Sequence, residues 1–174
     1  MRRCARGAAV VALVGVLSAC TPPPAAPASV ISAPRCVEVN GKADALCSPG
    51  VTNPVVTQAD LATTVCAPPV KGTKSWTQRQ RPSTSYTDAL KAKQMTDYGE
   101  TGPVSDYEED HLIPLSIGGN PRDPRNLVPE LWNGPTGAHV KDKEEVALWH
   151  AVCRGQMTLV DAQAKIVRDW VYAP

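Results

Sequence analysis

Phenylalanine is absent from the 174 residues, and aromatic side chains make up only 5% of them. Any core must therefore rest on Leu, Val, Ala, Ile and the four Trp. Charge of one sign is lacking too. Eighteen Lys and Arg face 17 Asp and Glu, which excludes a strongly basic nucleic-acid coat protein. With 43% apolar and 20% charged residues, the composition excludes an intrinsically disordered chain. No C-x-x-C pair occurs, so a structural zinc site lacks its usual ligand spacing. No internal repeat is visible, and the length suits one domain. The apolar run Ala8 to Val16 falls short of the roughly 20 residues that a bilayer-spanning helix needs.

What that run does have is the setting of an export signal. Arg2, Arg3 and Arg6 precede it, and Leu17-Ser18-Ala19-Cys20 ends it. A positive start, a short apolar stretch and small residues read as a secretory signal over residues 1–19. The Leu-Ser-Ala-Cys end resembles the bacterial lipobox, which implies lipidation of Cys20. Residues 20–35 then read as a lipidated Cys and a Pro/Ala-rich tether, because a stretch with five Pro between Thr21 and Pro34 cannot bury a core. The expected location is outside the cytoplasm, lipid-anchored at the outer face of the cell membrane or secreted. Without the signal the chain carries 15 basic and 17 acidic side chains, a formal −2, so polyanion binding would need a local patch.

The folded part is expected over 36–174. Cys36, Cys47, Cys66 and Cys153 are an even number in an exported chain, which implies two disulfides. Of the three connectivities, the expected one is Cys36–Cys47, closing a short local loop, with Cys66–Cys153, tying the start of the domain to its end. Thr57-Gln-Ala-Asp60 reads as a capping box opening a short helix to about Cys66. Residues 67–84 read as irregular. Ser85 or Thr87 caps a helix to about Tyr98, with Leu90 and Met95 inward and Gly99 as its stop. His111 to Leu115 reads as a strand, and Leu127-Val128 as its return. A helix follows from about Gly137 to Cys153, with Val146, Trp149 and Cys153 on its inner face. Thr158-Leu-Val-Asp161 opens the last helix, to about Val171, with Leu159, Ala162, Ile166 and Trp170 on one side. Trp132 and Trp149 also read as core, and His150 as structural.

Chemistry concentrates between residues 108 and 143. Asp110 beside His111 offers a hard-metal ligand next to a proton acceptor. Gly118-Gly119 allows a tight reversal. Asn126 opens the return strand, and His139 lies in the first turn of the next helix. A hairpin followed by a helix could bring Asp110 and His139 to one ion.

Asp110-His111, the apolar stretch with Pro114, Gly118-Gly119 and Asn126-Leu127, in that order and spacing, resemble the HNH endonucleases of the ββα-metal class. The resemblance covers about 35 residues. It implies an α+β fold: a mostly helical single domain around a small ββα-metal hairpin–helix unit, with disulfides bracing it. It implies an exported, metal-dependent nuclease. Asp110 and His139 would hold one divalent ion, Mg²⁺ or Mn²⁺ in the first place and Zn²⁺ or Ni²⁺ as alternatives. The ion would stabilise the leaving oxygen. His111 would act as general base on water, and Asn126 would brace the loop that positions it. Lys141, Lys143, Arg122 and Arg125 would steady phosphates. Nucleic acid, DNA before RNA, is the implied partner of a monomer that also meets the membrane through its lipid.

Three departures from that family matter. The paired zinc knuckles are missing, and disulfides suit an oxidising compartment in their place. The gap from Asn126 to His139 is long, which makes Asn133 a rival third ligand. Six acids lie between Asp97 and Asp110, and they repel phosphate. Lys71, Lys74, Arg79, Arg81, Lys91 and Lys93 against Asp88 supply a compensating local +5, interleaved with Trp76 and Tyr86. The other class of function that this chain fits is a non-catalytic, disulfide-stabilised cell-surface binding module on an HNH-like scaffold.

Overall fold

The structure is a computed structural model that describes residues 35–40 and 42–170. The signal, Cys20 and the tether lie outside the described residues, as does the expected end of the last helix at Val171. Among the described residues, no helix is long and apolar enough to cross a membrane.

The architecture is α+β. Among the described residues, four α-helices, α1 (Trp76–Gln80), α2 (Thr84–Tyr98), α3 (Ala138–Cys153) and α4 (Leu159–Asp169), accompany one antiparallel pair, β1 (Tyr107–His111) and β2 (Leu127–Leu131). Short 3-10 turns join them. Both expected disulfides form. Cys36–Cys47 closes a local loop, and Cys66–Cys153 ties the end of α3 to the turn after Gln58–Thr63.

Local chemistry explains most boundaries. Gly99 ends α2 at φ 75°, where a side chain would be strained. At α4 the Thr158 hydroxyl accepts from the Asp161 N–H, the start expected there. Leu159, Ala162 and Ile166 then pack against Leu148 and Val152 of α3, with Ile113 and Ile117 from the connection between the strands. Trp76, Trp149 and Trp170 lie at the edge of this core. For Trp76 that is a packing role.

Several expectations need correction. The first strand is Tyr107–His111 and stops where the expected one began. Its buried side is Tyr107, Glu109 and His111, so the alternation is carried largely by polar residues. Within the stretch read as irregular, Ser75 and Gln78 form a reciprocal capping box that starts α1. Thr57, in contrast, bonds the Asp60 carboxylate instead of a backbone N–H, and only a 3-10 turn follows. Ser83 precedes α2, two residues before the nearer expected cap. The inner face of α3 is Ala138, Lys141, Leu148 and Val152, whereas Val146 is 52% exposed.

Candidate functional site

Residues 112–126 connect β1 to β2, and one side chain organises that connection. Asn126 is fully buried. Its Oδ1 accepts from the Ile113 and Val51 N–H groups at 2.9 and 3.2 Å. Its Nδ2 donates to the carbonyls of Ile113 and Asn120, each at 3.0 Å. Four backbone groups that would otherwise be orphaned in the interior are thus satisfied. Gly118 and Gly119 make the reversal possible. A Cβ on Gly119 would sit 1.7 Å from the Ile113 carbonyl oxygen, and Gly118 has φ +79°.

The braced connection reaches His111. Asn120 Oδ1 accepts from the N–H groups of Arg122 and Asp123, both at 3.0 Å, which fixes the chain around Pro121. The Pro121 carbonyl lies 3.2 Å from His111 Nε2. A carbonyl can only accept, so the neutral ring carries its proton on Nε2 and leaves Nδ1 as an acceptor. Burial lowers the His111 pKa below its ordinary value, against the pull of Asp110 and the Pro121 bond. The imidazole is therefore neutral near pH 7. Arg81 and Lys141 press the same way.

Neighbouring strand residues point to opposite sides. Tyr107, Glu109 and His111 share one side of β1. Glu108 and Asp110 share the other, with Glu130, the cross-strand partner of Glu108. Lys141 of α3 meets this second side. Its ammonium pairs with Asp110 Oδ2, donates to the His111 carbonyl at 2.7 Å and to Glu145 Oε1 at 3.1 Å, and lies 4.0 Å from Glu130 Oε2. The Lys141 side chain is fully buried. Burial works to raise the Asp110 carboxyl, but Lys141 and a hydrogen bond with Glu130 together outweigh it and hold the acid below its ordinary value. Burial wins at the more distant carboxyls, pushing Glu130 up to about 9 and Glu145 up to about 7, with Lys141 opposing in both. Glu108 is pushed up to about 7 by burial and by Asp110.

The expected metal ligands do not converge. Asp110 is engaged by Lys141. His139 is two residues earlier on α3, about 200° round the helix from Lys141. It is exposed, with its ring 5.4 Å from that of Trp132. Asn133, the rival ligand, is exposed as well. Among the described residues, no three His, Cys, Asp or Glu side chains are set to hold a metal ion as they stand. An ion shared by Asp110 and His139 does not fit this arrangement.

The phosphate-steadying residues divide in the same way. Lys141 is sealed among carboxylates and cannot reach a phosphate, which corrects that expectation. Lys143 is exposed. Arg125 is spent on Asp123 at 2.6 Å. Arg122 is exposed and lies 5.9 Å above the Tyr86 ring. Arg81, read only as part of a basic stretch, is close enough to act on both His111 and Glu108. Glu109 reads in the sequence as a solvated acid, yet both its carboxyl oxygens are buried without a hydrogen bond. Lys141 and Glu145 stand four apart on a helix, a spacing that signals a pair but ordinarily a solvated one.

No protein-family model, no curated protein and no solved structure matches this chain.

Proposed function

We propose that this chain is an exported phosphodiester hydrolase of the HNH kind, acting on nucleic acid with His111 as general base. The observation that carries the reading is the contact of His111 Nε2 with the Pro121 carbonyl, in a loop locked by Asn126. It supplies a neutral imidazole with a defined tautomer and Nδ1 available for a proton. Nδ1 takes a proton from a water molecule as the water oxygen bonds to phosphorus and the bond from phosphorus to the 3′ oxygen breaks, the departing oxygen taking a proton from solvent. Arg81, which is exposed and acts on His111, and Arg122, exposed over the Tyr86 ring, would be the cations that meet the phosphate. The two disulfides suit an oxidising compartment, which supports the exported setting.

A plasmid-nicking assay of the disulfide-intact protein in Mg²⁺, Mn²⁺ or chelator, beside His111→Ala, tests this. The expected loss in the variant is about 10²–10⁴-fold, the usual range for a general base. Nicking unchanged in His111→Ala removes His111 from the reaction.

One observation favours a second reading. The Asp110 carboxylate is already occupied by a buried lysine, as suits a non-catalytic surface module that keeps the hairpin–helix scaffold. A folded protein that nicks under none of these conditions is the outcome that selects it.

A further inference from the structure

The loop from Cys36 to Cys47 is closed three times. A disulfide joins its ends. Val39 and Lys42 exchange two backbone hydrogen bonds, at 3.0 and 3.1 Å. The Asp44 carboxylate accepts from the Val37 N–H at 2.9 Å with one oxygen and from the Leu46 N–H at 2.8 Å with the other, which sets those two residues side by side. A loop held in this way nevertheless shows apolar groups to water. Cys36 is buried and Glu38 half-buried, while Val37 and Val39, at the alternate positions, are 56% and 61% exposed. Leu46 is 93% exposed. Single exposed aliphatic residues are ordinary, but three gathered on one cross-linked loop call for a cover. Net charge does not supply it. Within the loop and the ion pairs on Asp97, Arg35, Lys42 and Lys93 balance Glu38, Asp44 and Asp97.

Chain length indicates the cover. Residues 21–35 reach at most roughly 50 Å, so a chain held at Cys20 keeps this loop, the first described part of the domain, beside the bilayer. A second copy of the chain fits less well. A stable dimer buries about 800 Å² on each partner, more than three small side chains can supply. A bilayer asks for no matching surface, only for apolar groups that reach past the headgroups. We propose that Val37, Val39 and Leu46 form a docking surface for a phospholipid bilayer, which seats the domain on the membrane instead of leaving it merely tethered there. The contact is apolar and depends little on lipid charge. It rests on the expected anchor at Cys20 and not on phosphodiester hydrolysis.

The test uses the protein from Cys20 onward, which contains every described residue. Its other cysteines are in disulfides, so only the Cys20 thiol couples to maleimide lipid in phosphatidylcholine vesicles. Leu46→Trp puts a reporter on the patch, and Val160→Trp puts one on α4, at an exposed residue outside it. All the substituted positions are exposed, so the variants keep the fold. Lipid brominated on its acyl chains is expected to quench the added emission of Leu46→Trp at least about threefold more than that of Val160→Trp, since only the former enters the apolar layer. Adding Val37→Asp and Val39→Asp to Leu46→Trp is expected to remove most of that quenching, because each carboxylate resists leaving water. Equal quenching in Leu46→Trp and Val160→Trp overturns the proposal. So does Leu46→Trp emission that follows protein density but not brominated lipid, which identifies a second copy as the occupant. Quenching that appears only when anionic phosphatidylglycerol is present overturns the apolar contact. No readout here involves nicking of DNA, so a failure of docking and a failure of hydrolysis are told apart.

Discussion

On one side of β1, Glu108 and Asp110 look towards α3 and a buried lysine. On the other, Glu109 and His111 share a side with neither a counter-ion in contact nor, for Glu109, any hydrogen bond. Four residues of one strand thus solve the same difficulty in two ways. A charge taken out of water must be paired or given up. Asp110 is paired and stays ionised, its carboxyl held below the ordinary range. Glu109 gives its charge up: burial, opposed by Lys91 and helped by Asp110, pushes it up to about 8. His111 gives up charge in the opposite sense, its imidazole held neutral. The first side holds Asp110 charged against Lys141, and the second is neutral, Glu109 by keeping a proton and His111 by lacking one.

The contrast is broken most forcefully at Lys141. Lys141→Met leaves buried carboxylates without their counter-charge, and the expected loss of stability is about 3–5 kcal/mol, read by denaturant unfolding. Pairing that change with Asp110→Asn should return part of the loss, because the two groups are in contact.

On the opposite side the effect depends on pH. The Glu109 carboxyl ordinarily titrates near 4.5 and here near 8, so the folded protein keeps a proton that the unfolded chain releases. Its contribution is complete below about 4.5 and is lost as pH rises through about 8. Glu109→Gln removes this dependence. Its melting temperature should fall less than that of the wild type between pH 5 and 9, leaving the variant ahead at pH 9. A wild-type slope carried over in full would show that Glu109 is not the group responsible. Glu108, Glu130 and Glu145 slope the same way, so the variant keeps a smaller decline.

The smallest effect belongs to an ion pair outside the hairpin. Arg125 and Asp123 are as close as a good salt bridge allows, but the arginine is 62% exposed. Arg125→Ala should leave the melting temperature unchanged, since water and salt screen such pairs.

These differences mark what could be seen in the chain beforehand. Gly99, Thr158 and the four paired cysteines work through local geometry or covalent bonds, and they appear where the pattern of residues placed them. β2 begins at Leu127 as expected because its apolar start is plain. β1 was displaced by several residues because hydrophobic alternation does not register a buried glutamate and histidine. On α3, Trp149 and Cys153 face inward as expected and Val146 does not, while the buried Lys141 stands in a position that a search for apolar residues passes over. Asn126 was legible as a loop brace, though its route to His111 through Asn120 and Pro121 was not. The environment of Lys141 depends on three elements meeting, and no local spacing encodes that.

Trp170 brings one consequence of its own. Its indole N–H is bonded to Glu130, so one of the four tryptophans lies directly against the carboxyl that faces Lys141. The emission of an indole responds to charge beside it. Loss of the Glu130 proton, as pH rises through about 9, would therefore register as a spectral change in the unlabelled protein. The molecule carries its own optical probe of the most charged part of its interior.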